Sequence, residues 1–308
     1  MTYINQRVAY GNTLVELGHQ NKNIVALEAD LGKSTMSYLF QETFPNRYFE
    51  MGIAEADMAS VAAGLSQTGK IPFIHSFAVF AAGRAYDQIR QTISIGKLNV
   101  KICGSSSGLS DFGDGSTHQA IEDMAIMRAI PNMTVLCPAD ANETVQMVKA
   151  MADIQGPCYI RINRNDYENV TEEDRAFKVG MPSIVKEGHD VVVFACGIML
   201  TKALEAAKAL EGVISVKVVN VSTIKPLNKE FIIKEAKECK GVVTAEEHSV
   251  IGGLGSAVAE ALCKACKPIE FVGVNDTFGC SAHNYAELLE YHGLTAAHII
   301  EAIECVNK

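Results

Sequence analysis

The sequence predicts an α/β protein with two domains, each a mostly parallel sheet flanked by helices. Short, continuous apolar runs alternate along the chain with segments of helical periodicity, the pattern expected of parallel sheets covered by helices. This alternation stops in one charged stretch and then restarts. With 308 residues, 48% of them hydrophobic, the chain is long enough to bury two ordinary cores.

The first domain is predicted from the order of its strands and helices. Its strands are the apolar runs NIVALEAD, IPFIHSF, NVKICGS, MTVLCP and PCYIRI. Helical spacing covers residues 5–19, 54–67, 81–95, 119–129 and 140–152. Strand and helix therefore follow one another as in a parallel sheet with helical crossovers.

The second domain follows a predicted linker. Residues 164–190 are charged and nearly free of periodicity. Apolar runs then return in VVVFACG, ISVKVVNV, GVVTAEE and IEFVGV. We place the first domain at residues 1–178 and the second, smaller domain at residues 186–308.

Charge and composition argue against several classes of function. The formal net charge of −9 disfavours nucleic acid or an anionic membrane as the main partner, because either would repel the surface. Neither a signal-like start nor an apolar window of about 18 residues is present, so we expect a cytoplasmic protein. The nine cysteines are scattered and are expected to be buried and reduced. We assign no function to the close pair Cys263 and Cys266.

Three stretches carry the first candidates for chemistry. In GIAEADMASVAAG, Glu55 begins a run of small and apolar residues, where a carboxylate commonly just complements the helix dipole. Phe77 and Phe80 follow a strand and could form an aromatic platform or belong to the core. The long polar loop GSSSGLSDFGDGSTHQ holds Asp114 and His118 after a buried strand. Such a loop at the carboxyl end of a parallel sheet indicates a binding site.

Four stretches together resemble one enzyme family. EADLGKST, FEMGIAEADMASVAAGLS, DGSTHQAIEDMAIMRAIPNMTVLCPADANE and TAEEHSVIGGLGSAVAEAL are similar, in this order, to the thiamine-diphosphate enzymes of the transketolase family, including deoxyxylulose-phosphate synthase. The resemblance spans essentially the whole chain but only the carboxyl-terminal half of the family, its pyrimidine-binding and C-terminal domains. It implies the C-terminal subunit of a split transketolase, which transfers a two-carbon ketol group between phosphorylated sugars.

The resemblance also implies a partner. An N-terminal transketolase subunit would supply the ligands for Mg²⁺ and for the diphosphate of thiamine diphosphate. The active site would then form between chains, in a dimer or heterotetramer. The GDG sequence at residues 113–115 looks like the start of the magnesium motif, but it lies in the polar loop rather than directly after a strand. We therefore expect no metal ligands in this chain.

Carried over residue by residue, the resemblance assigns the cofactor contacts. Glu55 matches the glutamate that hydrogen-bonds N1′ of the aminopyrimidine and activates the cofactor. Its Ala-, Val- and Met-rich setting would help the carboxyl to keep a proton, because burial disfavours the charged form. Phe77 and Phe80 match the aromatic residues that pack on the pyrimidine, and Asp30 matches an aspartate near the thiazolium.

The substrate residues include one departure from the family. Asp114 matches the aspartate that binds a substrate hydroxyl, and His118 matches the histidine beside the sugar and is the second catalytic candidate after Glu55. Three residues match positions that hold the distal phosphate: Arg7, Ser34 and Arg164. Ser106 stands where many ketose-transferring members have a histidine. Contacts at the sugar end should therefore differ, and no particular sugar is expected.

Two other functions remain open. The beta subunit of a 2-oxoacid dehydrogenase decarboxylating component shares the architecture and a GIAE sequence, although DGSTHQ and the phosphate-type arginines favour the ketose-transferring branch. The other alternative is a non-catalytic paralogue that docks a partner chain. The joint presence of Glu55, Phe77 and Phe80 argues against it.

Overall fold

The computed structural model describes residues 3–173, 175–265 and 267–308. Residue 174 of the predicted linker and Cys266 of the close cysteine pair lie outside the described residues. The strands of the described chain are β1 (Tyr3–Asn5), β2 (Ile24–Glu28), β3 (Tyr48–Glu50), β4 (Ile71–Phe77), β5 (Lys101–Ser105), β6 (Thr134–Leu136), β7 (Cys158–Arg161), β8 (Asp166–Glu168), β9 (Ser183–Lys186), β10 (Val191–Ala195), β11 (Val216–Asn220), β12 (Thr223–Lys225), β13 (Gly241–Ser249) and β14 (Ile269–Val274). The α-helices are α1 (Gln6–Gln20), α2 (Gly32–Thr35), α3 (Tyr38–Thr43), α4 (Glu55–Gln67), α5 (Tyr86–Gln88), α6 (Asp123–Ala129), α7 (Ala141–Asp153), α8 (Met199–Ala209), α9 (Lys229–Lys237), α10 (Leu254–Leu262), α11 (Tyr285–Tyr291) and α12 (Ala296–Val306).

The larger sheet is built mainly from the strands predicted for the first domain. Its order is β3-β2-β4-β5-β7-β6-β12, and each neighbouring pair from β3 to β6 is parallel. Strands β2 and β5 are buried along their whole length, which explains why most of their residues are apolar. Their buried polar ends, Glu28 and Lys101, are hydrogen-bonded. The predicted α/β class is confirmed. Strand β12, from the second half of the chain, joins the edge of this sheet antiparallel to β6.

The smaller sheet contains the four strands predicted for the second domain. Its order is β14-β13-β10-β11-β9, with β9 antiparallel and the other pairs parallel. Buried side chains from both halves of the chain form one core cluster, which includes Ile102, Phe194 and Val258. The core cluster contains residues of both halves, and strand β12 of the second half pairs with β6 of the first. The two sheets therefore pack against each other and share one core.

The expected linker is not free of structure. Within residues 164–190, β8 pairs with β1 and β9 forms the edge of the smaller sheet. The prediction of an aperiodic linker over this stretch is wrong in these two places. Short edge strands are held by backbone pairing and expose much of their length, so they need no apolar pattern.

Two predicted helices also differ from the structure. Residues 81–95 form two π-helical segments, Val79–Arg84 and Ile89–Ser94, on either side of α5. A π-helical turn holds an extra residue, which the 3.6-residue pattern does not reveal. The helix predicted over 119–129 begins only at α6, because the backbone of Ala120 is bridged to Gly108.

Membrane-spanning helices and cysteine burial bear on two expectations from composition. In the described ranges, no helix is both long enough and apolar enough to cross a membrane. Five of the eight described cysteines are buried, whereas Cys263, Cys280 and Cys305 are exposed. The expectation of buried cysteines is therefore right for five of the described cysteines and wrong for these three.

Candidate active site

Glu55 lies buried at the first position of α4. The chain turns at Gly52, whose φ is +67°, and α4 then begins without a side-chain cap. The Glu55 carboxylate therefore lies at the positive end of the helix dipole. From β4, the hydroxyl of Ser76 approaches Oε1 at 3.4 Å. This position is the carboxyl edge of the larger sheet, where parallel α/β sheets commonly bind ligands.

Arg84 is the closest polar partner of Glu55. Its Nη1 donates to Oε1 at 2.8 Å and to Oε2 at 2.9 Å, while the arginine side chain stays 47% exposed. The sequence predicts an apolar setting for Glu55, but the structure adds an ion pair with Arg84. The guanidinium offsets the cost of burying the carboxylate. Sequence reasoning missed Arg84, which lies 29 residues away and reaches Glu55 from the end of a π-helical segment.

An aromatic cluster continues from Arg84. The guanidinium lies 4.4 Å from the ring centroid of Phe80, and the rings of Phe77 and Phe80 lie nearly parallel, with centroids 6.1 Å apart. His118 meets Phe80 edge-on at 5.3 Å and Phe77 at 6.1 Å. The structure therefore brings Glu55 and these three predicted rings together. A flat apolar wall beside a buried carboxylate fits a heteroaromatic ring such as an aminopyrimidine.

The polar loop after β5 carries the next candidates. Ser106 is buried with a φ of +51°, and its hydroxyl has no hydrogen-bond partner among the described residues. The loop ends in one short 3₁₀ turn, Gly115–Thr117, which is preceded by the exposed Asp114 and followed by His118. Thr117 Oγ1 lies 2.9 Å from Nδ1 of His118. The loop thus presents polar groups beside the aromatic cluster.

Asp30 lies at the same sheet edge but apart from the aromatic cluster. It is exposed, has a φ of +61°, and donates its backbone N–H to Glu50 Oε1 at 2.8 Å. Below it, the buried Glu28 accepts hydrogen bonds from the hydroxyls of Thr35 at 2.6 Å and Ser37 at 2.5 Å. Burial nevertheless raises the pKa of Glu28 to about 7. No described hydrogen bond connects Asp30 with the aromatic cluster.

The three predicted phosphate residues lie around Asn5, the N-cap of α1. Arg7 donates from Nη1 to the backbone oxygen of Ser34 at 2.7 Å and from Nε to Asn5 Oδ1 at 3.3 Å. Asn5 Nδ2 in turn donates to the backbone oxygen of Arg164 at 2.7 Å. The guanidinium of Arg164 is paired with the buried carboxylate of Asp111 at 2.5 Å. We call Arg7, Ser34, Asp111 and Arg164 the arginine pocket.

The charges of the arginine pocket act on one another. Burial, and then the positive charge of Arg164, lower the pKa of Arg7, while Asp111 and Asp166 oppose them. Burial raises the pKa of Asp111, and the ion pair with Arg164 opposes this rise. The two guanidiniums therefore lie close enough to repel each other. Asp111 was not among the predicted residues, although its place three residues before Asp114 would have allowed it to be considered.

The second half of the chain holds the polar loop in place. Glu247, in β13, accepts hydrogen bonds from the backbone N–H of Leu109 at 2.8 Å, from Tyr285 at 2.6 Å and from Asn163 at 3.0 Å. Glu247 is buried, and burial raises the pKa of this carboxyl to about 7. A Cβ at Gly108 would lie 2.4 Å from Cδ of Glu247, so loop and strand are in close contact. The smaller sheet thus determines where the loop lies.

Within residues 3–173, 175–265 and 267–308, no group of three or more His, Cys, Asp or Glu side chains is arranged to hold a metal ion. Asp114 of the GDG sequence is exposed on the loop.

Two sequence families match the chain, one for each half. Residues 2–169 match the family described as "Transketolase, pyrimidine binding domain". Residues 180–299 match the family described as "Transketolase, C-terminal domain".

Relatives of similar length carry related descriptions. The chain is 44% identical to a putative transketolase C-terminal section from Methanocaldococcus jannaschii, over 98% of this chain and 96% of that protein. It is 42% identical to a 6-deoxy-6-sulfo-D-fructose transketolase subunit from Clostridium sp. (strain MSTE9), over 98% of this chain and 94% of that protein. A solved structure described as a split gene transketolase, inactive beta4 tetramer, is 50% identical, with a TM-score of 0.90 and 99% of each chain covered.

Proposed function

The chain belongs to the transketolase family, and on that basis we propose that it is the carboxyl-terminal subunit of a split transketolase. It transfers a two-carbon ketol group between phosphorylated sugars, using thiamine diphosphate as enzymes of this family do. Its pyrimidine-binding domain occupies residues 1–178, and its C-terminal domain occupies residues 186–308. The relatives described as subunits or sections of transketolases support the proposal that this chain is one subunit of a split enzyme.

The observation that carries the proposal is the buried Glu55 carboxylate beside the stacked rings of Phe77 and Phe80. Thiamine diphosphate supplies, when bound, the carbon that accepts the ketol group. Phe77 and Phe80 would pack on its aminopyrimidine and would keep water away from it. Glu55 would exchange a proton with a ring nitrogen of the cofactor, and movement of Arg84 would free one of the Glu55 oxygens for this contact. Arg84, half exposed at the mouth of the site, can move without disturbing the core.

The substrate lies between the aromatic cluster and the arginine pocket. His118, in edge contact with both phenylalanine rings, is placed to contact the sugar beside the cofactor, and Asp114 offers a carboxylate for a sugar hydroxyl. Ser106 has a smaller, uncharged side chain at a position where many members of the family have histidine, so the contacts to the sugar at this position differ from theirs. The guanidiniums of Arg7 and Arg164 attract the terminal phosphate.

The remaining part of the site comes from a second chain. We propose an N-terminal transketolase subunit that carries the ligands for Mg²⁺ and the diphosphate, with assembly as a dimer or heterotetramer. The related split gene transketolase, described as an inactive beta4 tetramer, supports the expectation that subunits of this type are inactive by themselves.

Reconstitution tests the proposal. The purified chain should show no ketol transfer from a ketose phosphate, and it should bind thiamine diphosphate weakly by calorimetry. Addition of an N-terminal subunit from a split transketolase should restore both. The same mixture with pyruvate and an acyl acceptor serves as the control for a 2-oxoacid dehydrogenase subunit. Ketol transfer by the chain alone, with contaminating enzyme excluded, would contradict the split-subunit function.

A further inference from the structure

The arginine pocket contains a negative charge that a site for a doubly charged group does not need. Its two guanidiniums, on Arg7 and Arg164, lie close enough for Arg164 to lower the pKa of Arg7. The carboxylate of Asp111 is paired with Arg164 at 2.5 Å. Arg7 has no comparable ion pair among the described residues and binds only neutral oxygens, on Asn5 and Ser34. The three charged groups therefore sum to one positive charge.

Asp111 is fixed in this position by the loop around it. Its side chain is only 3% exposed, and its backbone oxygen accepts a hydrogen bond from the Gln119 amide at 3.1 Å. The neighbouring Ser110 is bound through its backbone oxygen by Asn165 at 3.1 Å, and Leu109 is bound by Glu247. The loop backbone is therefore held on both sides of a buried carboxylate, so an arriving anion meets the negative charge of Asp111 beside Arg164.

Other carboxylates near the pocket act in the same direction but more weakly. Asp166 also raises the pKa of Arg7, and its Oδ1 accepts a hydrogen bond from Asn5 at 3.0 Å, but it is exposed. Asp114 raises the pKa of Asp111 and is exposed as well. Water and salt screen exposed charges far more than buried ones. Asp111 therefore dominates the negative contribution to the potential that a bound anion would meet.

We propose that Asp111 is a specificity-determining residue, which matches the arginine pocket to a sugar whose terminal tetrahedral group carries one negative charge. Such a group is a sulfonate or a singly protonated phosphate ester. A fully ionised phosphate ester still binds, but with one negative charge unmatched. This inference rests on the proposed function, because it assumes that the arginine pocket receives the end of the substrate.

The physical basis is that a fixed charge acts on a ligand in proportion to the charge of the ligand. Removal of the Asp111 charge should therefore change the binding free energy of a dianion about twice as much as that of a monoanion. At separations of about 6 Å in a largely aqueous dielectric, this corresponds to about a tenfold gain in affinity for the dianion and about threefold for the monoanion.

Two small anions can test this without any turnover. Methyl phosphate, held at a pH where it is a dianion, and methanesulfonate, a monoanion, are titrated into the full chain and followed by NMR shifts. Asp111→Asn keeps an oxygen that can accept from Arg164 but has no charge, and Asp111→Ser is a smaller uncharged alternative should the first variant fold poorly. Asp166→Asn is the matched control, because it removes an exposed carboxylate that, like Asp111, raises the pKa of Arg7.

We expect the Kd of methyl phosphate to fall about tenfold in Asp111→Asn, the Kd of methanesulfonate to fall about threefold, and Asp166→Asn to change either by less than about twofold. Equal changes in the Kd of the two anions, or changes no larger than those in Asp166→Asn, would overturn the specificity role of Asp111 and would leave the proposed function intact. Failure of the wild-type chain to bind either anion would instead contradict the substrate end assigned in the proposed function, and this inference with it. If the anions bind as expected, activity with ketose phosphates and with sulfonated ketoses, measured in the presence of the N-terminal subunit, would show whether the terminal group is a phosphate or a sulfonate.

Discussion

At the scale of single residues, one ion pair lies at each end of the candidate site, one beside the aromatic cluster and one in the arginine pocket. Arg84 contacts both oxygens of Glu55, and Asp111 contacts Arg164. In each pair one partner is buried and the other is partly exposed, with 47% of the Arg84 side chain and 35% of the Arg164 side chain accessible. The exposed partner can therefore move toward a ligand, while the buried partner keeps its position.

Replacement of Glu55 tests the residue scale directly. Glu55→Gln should slow ketol transfer by the reconstituted enzyme by about 10²–10⁴-fold, because the amide cannot exchange a proton with the cofactor ring. The melting temperature should change little, since the amide oxygen can still accept from Arg84. Exchange of the C2 proton of bound thiamine diphosphate, followed by NMR, measures the same step without turnover. Asp57→Asn is the matched control, because Asp57 is an exposed carboxylate in the same first turn of α4. C2 exchange as fast in Glu55→Gln as in wild type would refute this role.

At the scale of elements, helices differ in how closely their backbones approach the rest of the protein. A Cβ at Gly11, in α1, would lie 2.7 Å from the backbone oxygen of Met36 and 3.0 Å from Leu39. A Cβ at Gly64, in α4, would meet nothing within 4 Å. The first glycine permits close packing of α1, whereas the second only adds flexibility to the unfolded chain.

Alanine at these two positions should have opposite effects. Gly64→Ala should raise the free energy of unfolding by about 0.5–1 kcal/mol, because alanine has the higher helix propensity. Gly11→Ala should lower it by about 1–3 kcal/mol, because the backbone of residue 36 cannot give way cheaply. Urea denaturation of the isolated chain measures both. Equal effects of the same sign would show that helix propensity alone, and not backbone approach, determines stability here.

At the scale of the whole molecule, the two halves meet through a buried polar network. Arg161 pairs with Asp123 at 2.9 Å and donates to the backbone oxygen of Glu247 at 3.1 Å. The carboxylate of Glu247 then reaches the polar loop at Leu109 and the tyrosine hydroxyl of α11. Residues of the second half of the chain therefore hydrogen-bond directly to the polar loop of the first half.

This network predicts a pH dependence of stability. The pKa of Glu247 is raised from 4.5 to about 7 in the folded chain, so the folded state keeps a proton that the unfolded state has already lost. Between about pH 4.5 and pH 7 the unfolded state therefore binds fewer protons, and the contribution of Glu247 to stability falls as pH rises. The total loss is on the order of 3 kcal/mol.

Comparison with a neutral variant isolates this contribution. The free energy of unfolding of Glu247→Gln, measured by urea denaturation at pH 5, 6 and 7, should decline less with rising pH than that of the wild type. Glu260→Gln provides the control, because Glu260 is a surface carboxylate that is 56% exposed. Parallel pH profiles for the wild type and Glu247→Gln would contradict the assignment of the raised pKa to Glu247.

Much of the fold could be predicted from local patterns. Strands such as β2, β4, β5, β10 and β13 are predictable because strands buried on both faces are rich in apolar residues, whatever their neighbours are. The helix predicted over 54–67 agrees with α4 to within one residue at its start, because a glycine and a first-turn carboxylate mark a helix start locally. Edge strands β8 and β9, and the π-helical segments around α5, were missed because backbone pairing and an extra residue per turn leave no such pattern.

The sequence by itself determined the fold class, the family resemblance and the set of candidate residues, because apolar periodicity and ordered motifs are properties of neighbouring residues along the chain. Only the tertiary structure decided that Arg84 contacts Glu55 across 29 residues and that Arg164 contacts Asp111 across 53. It also decided that Glu247 in the second half holds the polar loop of the first. Such contacts depend on how strands stack in the sheet and where loops return, so the raised pKa values of Asp111 and Glu247 could not be predicted from the sequence.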